Sequence, residues 1–169
     1  MASYVVIRSE LIETLDEARD YYRERLAAKH RITSYGRPAS IVFEGDATHL
    51  YSVGLKGEDP RDLAPHERVA RQISPGNVDV RRFNVERARL MDRVLPAISL
   101  FTVSNPEGGG PPGRQKRVLH GPALPSGERL RVVLRPGPGT AWTCVSAYPV
   151  SADEWLAACR LKRAKWPPE

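Results

Sequence analysis

Residues 128–148 read ERLRVVLRPGPGTAWTCVSAY. In ERLRVVLR (128–135), Leu130, Val132 and Leu134 fall on one side of an extended chain, and Arg129, Arg131 and Arg135 fall on the other. That period of two is the signature of a half-buried strand. PGPGT then supplies a turn. AWTCVSAY (141–148) follows as the next strand, with Trp142, Cys144, Ser146 and Tyr148 expected on one face. RVLH (117–120) adds a strand upstream. Strands this close in sequence, joined by short turns, form an antiparallel meander.

The elements outward from this meander are mixed. Downstream, Ser151 and Glu154 have capping-box spacing and open a last helix with Trp155, Leu156 and Cys159; the tail KRAKWPPE is expected to fray. Upstream, SNPEGGGPPG (104–113) reads as a flexible break. Asn84 caps a helix to about Leu95, with Val85, Ala88, Met91 and Leu95 as its apolar stripe and Pro96 to end or kink it. Asp79–Phe83 is a short strand. Residues 57–76 read as a loop holding a short helix near Pro65–Gln72. SIVFEGDATHLYSVG (40–54) predicts a hairpin turning at Glu44-Gly45-Asp46, with His49, Tyr51 and Val53 on one face of its second arm. The first helix is capped by Ser9, carries Leu11, Leu15, Ala18, Tyr22 and Leu26 at helical spacing, and closes on Lys29, His30 and Arg31. A short strand over Tyr4–Ile7 precedes it.

The pattern predicts an α+β fold, an antiparallel β-sheet (meander) with three to four packing helices. The segments near 40–53 and 117–148 are expected to join in one antiparallel sheet. The length of 169 residues suits a single domain, with residues 1–75 as an N-terminal extension of a 76–169 unit. The first residues lack a basic segment followed by an apolar one, and no apolar run reaches the ~20 residues a bilayer span requires, so neither secretion nor membrane insertion is expected. The expected location is cytoplasmic. Two cysteines, Cys144 and Cys159, and four scattered histidines offer no metal-ligand spacing, and no cofactor motif is present.

Charge is unevenly distributed. Residues 1–60 carry 8 Lys/Arg against 10 Asp/Glu, whereas residues 81–135 carry 11 against 4. Of the 26 basic residues in the chain, 21 are arginine. Arginine binds phosphate bidentately and stacks on bases. Base composition and a solvated strand face are the other readings of the arginines, but their concentration in one region favours an anionic partner.

From Arg82 to Arg163 the order is helix, loop, antiparallel meander, helix, closing on WTCVSAYPVS. This resembles the ribonuclease toxins of the barnase–EndoU–colicin–RelE-like fold, in which helices pack on a four-stranded antiparallel sheet. Members carried by phages or polymorphic toxins end in a similar strand. The resemblance covers about half the chain. Paired glycine-flanked histidines, a marker of some members, are absent. The resemblance implies a metal-independent bacterial ribonuclease, with RNA (tRNA or rRNA) as substrate and an immunity or antitoxin protein as partner. The alternative is a non-catalytic accessory protein that binds nucleic acid or another partner.

Metal-free RNA cleavage requires a base for the 2′-OH, an acid for the 5′-oxygen and cations for the phosphorane. His49 and His120 are the histidines suited to proton transfer, with His49 preferred as strand-held. Arg82 and Arg87 are candidates for the reacting phosphate, and Ser146 and Tyr148 lie in the phrase carrying the resemblance. Arg81, Arg93, Arg129, Arg131 and Arg135 are candidates for the RNA backbone.

Overall fold

The computed structural model describes residues 8–44, 47–111 and 114–168. The helices are α1 (Leu15–Arg25), α2 (Val85–Ala88), α3 (Val94–Ser99) and α4 (Ala152–Cys159). The strands are β1 (His30–Ser34), β2 (Arg37–Phe43), β3 (Ser52–Val53), β4 (Arg68–Ser74), β5 (Asn77–Phe83), β6 (Val103–Glu107), β7 (Lys116–Ala123), β8 (Arg129–Pro136) and β9 (Trp142–Val150). The fold is α+β. The expected strand over Tyr4–Ile7 and the Gly45-Asp46 turn lie outside the described residues.

The chain forms two compact units, each discontinuous in sequence. The first comprises residues 1–27 and 45–92. Its sheet has the order β3-β5-β4 and is antiparallel throughout. Helix α1 starts later than expected. Thr14 is the N-cap, in a capping box with Glu17, because Ser9 is buried and bonds elsewhere: its hydroxyl donates to the Arg89 carbonyl and accepts from the Asp92 amide. Leu15, Ala18, Tyr22 and Leu26 are buried as the spacing predicts, but Leu11 is exposed. The expected 57–76 loop holds strand β4. Asn84 caps α2 by accepting from the Arg87 amide, yet the helix lasts one turn.

The second unit comprises residues 28–44 and 93–169. Its six-stranded sheet has the order β1-β2-β9-β8-β7-β6. Strands β6 to β9 form the antiparallel meander, and β2 joins β9 in parallel. Strand β2 therefore shares a sheet with the 117–148 segment, but not in the antiparallel sense expected. The predicted hairpin over 40–54 is not formed. Strand β2 pairs instead with β1 through the Tyr35-Gly36 turn, and residues 48–50 are a 3₁₀ turn. His30 and Arg31, expected at a helix end, begin β1.

One face of this sheet is the core. Ile41, Leu119, Leu130, Val132 and Leu134 are almost wholly buried on it. Helix α3 packs closely here: a Cβ on Gly121 would meet the Ala97 Cβ at 2.8 Å. Pro96 sits inside α3 without ending it. Residues 104–107, the start of the expected 104–113 break, instead belong to edge strand β6, where Pro106 is tolerated. The described part of the tail, to residue 168, packs on the sheet rather than fraying. Trp166 is 2% exposed and sits edge-on to Phe101 and Trp142.

Candidate functional site

The register of the meander builds the site. Val103, His120, Arg131 and Tyr148 are successive cross-strand partners on β6, β7, β8 and β9. Asn105, Val118, Val133 and Ser146 form the adjoining row. Cross-strand partners share a face, so both rows lie opposite the core face.

This arrangement depends on Val145. Val133 pairs with Ser146 but Leu134 pairs with Cys144, so Val145 is a surplus residue, a β-bulge. Strict alternation would put Ser146 and Tyr148 beside Trp142 and Cys144. The bulge instead turns Ala147 to the core and moves Ser146 and Tyr148 to the arginine face. Correspondingly, Cys144 and Ala147 are buried, whereas Ser146 and Tyr148 are half-buried.

Helix α4 packs against β6 on this face. Its N-cap Ser151 accepts from the Glu154 amide. Asn105 Nδ2 donates to the carbonyls of Ala158, at 3.1 Å, and Lys162, at 2.9 Å, which anchors the helix end. A cleft of about 310 Å³ remains, lined by Asn105, Val118, His120, Arg131 and Leu161, with Glu107 and Glu154 on the β6–α4 side.

The predicted residues of this unit hold distinct positions. Arg131 Nη1 donates to the Tyr148 hydroxyl at 2.6 Å, and the guanidinium also lies over the tyrosine ring. Arg129 stacks on Trp155 at 3.8 Å, and the indole N–H donates to the Thr102 hydroxyl. Arg135 forms an ion pair with Glu44 at 3.0 Å. It also lines an opening of about 580 Å³ with Arg114, Lys116 and the Gly108-Gly109 backbone. Ser146 lies one row from Tyr148, and Arg93 is exposed at the start of α3.

His120, the histidine the sequence ranks second, is central to the row. Its side chain is 3% exposed and its Nδ1 has no hydrogen-bond partner. Burial, reinforced by the charges of Arg131 and Arg129, lowers its pKa from 6.5 to about 4. The imidazole is therefore neutral at pH 7 and carries an unshared lone pair. The sequence signal that could have identified it was the alternation in RVLH, which places it two residues from Val118.

The remaining candidates lie in the other unit. His49 is on the 3₁₀ turn, not a strand, and its Nε2 accepts from Arg71 Nη1 at 2.5 Å. Arg82 is held between Glu58, at 2.8 Å, and Glu67, at 3.1 Å. Arg81 and Arg87 both donate to the Ser52 carbonyl, at 3.1 and 2.9 Å, and Arg81 also reaches the Ser52 hydroxyl. Burial, with Arg71 nearby, lowers the Arg81 pKa. Thus the structure groups Ser146, Tyr148, Arg129 and Arg131 in one unit and His49, Arg81, Arg82 and Arg87 in the other.

Among the described residues, no three His, Cys, Asp or Glu side chains are grouped to hold a metal, and no helix is long and apolar enough to cross a membrane. Both cysteines are free, and burial raises the pKa of the Cys144 thiol to about 12, which leaves it protonated and unreactive. No protein-family model, curated protein or solved structure matches this chain.

Proposed function

We propose that the protein is a metal-independent endoribonuclease whose reaction takes place on the arginine face of the six-stranded sheet. The observation that carries this reading is the row His120–Arg131–Tyr148, a neutral base, a cation and a hydroxyl on three adjacent strands. Neighbouring strands lie ~4.8 Å apart, so the two outer groups flank Arg131 across roughly 10 Å, a span that suits a phosphodiester.

In this mechanism Arg131 binds the scissile phosphate and stabilises the charge that builds on it during attack. His120 accepts the 2′-OH proton. Phosphate binding offsets the arginine charges that help depress its pKa, so the base strengthens when substrate is present. The 2′-oxygen forms a bond to phosphorus as the P–O5′ bond breaks. Tyr148, which accepts from Arg131, is the acid in this reading: its hydroxyl protonates the departing 5′-oxygen. The products are a 2′,3′-cyclic phosphate and a 5′-hydroxyl. Glu107 and Glu154 would repel phosphate from the β6 side and instead suit hydroxyl or base N–H donors. His49 and Arg82 have no role in this mechanism. A toxin role, a phage origin and an immunity partner belong to the same proposal and rest on the sequence resemblance alone.

The test is cleavage of labelled RNA in EDTA, followed by end-group analysis. Cleavage leaving cyclic phosphate, abolished in Arg131→Gln, is the expected result. A Mg²⁺ requirement or 5′-phosphate ends would reject the mechanism. RNA binding by the folded protein without cleavage would instead favour an accessory binding protein.

A further inference from the structure

The turn between β1 and β2 presents an unusual residue. Tyr35 and Gly36 both have positive φ, 50° and 76°, as a type I′ hairpin turn requires. Asparagine is the preferred residue at the first of these positions. A tyrosine there is held in a backbone conformation that disfavours a side chain of its size. The strained backbone holds an aromatic ring in solvent: Tyr35 is 65% exposed.

That ring belongs to a rigid aromatic series. Its hydroxyl donates to the Phe101 carbonyl, and its ring meets Phe101 edge-on at 5.1 Å. Phe101 rests on buried Trp166, which in turn contacts Trp142. The adjacent chain is fixed as well, because the Ala164 amide donates to the Ser104 carbonyl and Arg37 donates to the Pro167 carbonyl at 2.6 Å. Between these elements lies a cleft of about 540 Å³, lined by Tyr35, Phe101, Arg37, Arg163 and Lys165.

We infer that this cleft is a stacking site for single-stranded nucleic acid, with a base on Tyr35 and Phe101 and the flanking phosphates on Arg163 and Lys165. An aromatic platform edged by cations is what a strand of stacked bases and phosphates requires. The cleft is separate from the His120–Arg131–Tyr148 row, and binding there does not require cleavage.

The test uses labelled 12-mers that cannot be cleaved, oligo(dT) and 2′-O-methyl oligo(U), so it is independent of nuclease activity. Tyr35→Asn supplies the residue the turn prefers and removes the ring. It should melt within a few degrees of wild type and bind roughly tenfold more weakly. Tyr35→Phe keeps the ring and should bind within about twofold of wild type. Replacing Arg163 and Lys165 with Gln should flatten the log–log salt slope by about 1.4, some 0.7 for each phosphate contact. Undiminished binding by Tyr35→Asn would overturn the inference. So would a loss in Tyr35→Phe equal to that in Tyr35→Asn, or absence of oligonucleotide binding by the wild type.

Discussion

The two units use arginine differently. In residues 45–92, Arg82 is bonded to two glutamates, Arg61 to Asp59, Arg71 to His49, and Arg81 and Arg87 to the carbonyl of Ser52. These guanidiniums are engaged by groups of their own unit. In the six-stranded sheet, Arg131 rests on a phenol and Arg129 on an indole, and only Arg135 of that row pairs with a carboxylate. A carboxylate compensates a guanidinium's charge, whereas a phenol or an indole orients it and leaves the charge for a ligand. Local charge density therefore does not identify an anion site. The identity of the contacting groups does.

Kinetics offers the sharpest contrast. His120→Gln should slow RNA cleavage on the order of 10²–10⁴-fold, whereas His49→Gln should leave it within about threefold. Initial rates on one labelled RNA measure both. Equal losses, or a larger loss for His49→Gln, would reverse the assignment of the two regions.

Stability separates them next. Leu119→Ala, at a wholly buried position of the six-stranded sheet, should cost about 3–4 kcal/mol in urea unfolding. Ile73→Ala, on the exposed end of the β4–β5 hairpin, should stay within about 0.5 kcal/mol. A comparable loss at Ile73 would show that the hairpin is buried against something in solution.

The third contrast is pH. The folded pKa of His120 lies at about 4, below the 6.5 of an unperturbed imidazole. Between those values the unfolded chain takes up a proton that the folded chain refuses. The resulting penalty is absent above pH 6.5 and grows as pH falls towards 4, where it reaches about 3 kcal/mol. The difference between wild-type and His120→Gln stability across pH 4–7 isolates it. A pH-independent difference would mean that His120 titrates normally.

A smaller loss than that at Leu119 is expected at the first helix. Thr14→Ala removes the cap of α1 and should cost about 1 kcal/mol. The same measurement on Ser9→Ala tests the corrected helix start. Ser9 bonds to the backbone at Arg89 and Asp92, so its loss should be felt within the first unit even though it caps no α-helix.

The meander was legible because β8 alternates, with Leu130, Val132 and Leu134 on one face and Arg129, Arg131 and Arg135 on the other, and short turns join it to its neighbours. The other strands gave weaker signals for specific reasons. Strand β4, RVARQIS, buries little beyond Val69, so it has no apolar stripe to recognise. Strand β6 contains Pro106, which reads as a loop until the strand is known to lie at a sheet edge. The hairpin over 40–54 was misassigned because the partner of β2 begins with His30 and Arg31, residues that equally suit a helix C-terminus. At the site, Arg131, Ser146 and Tyr148 were identifiable individually. Their shared face was not, because one surplus residue is invisible to a period-two count.

Val145 acts on β9 as an inserted nucleotide acts on a reading frame. Residues before it are read in one phase and residues after it in the other, so Cys144 and Ala147 serve the interior while Ser146 and Tyr148 serve the opposite surface. Substitutions at 145 leave that phase intact as long as the extra residue remains. Deleting it would put Ser146 and Tyr148 back in phase with Trp142 and Cys144. The spacing between Cys144 and Ser146 is therefore a coding element of this strand in its own right, more informative than the identity of the residue that fills it.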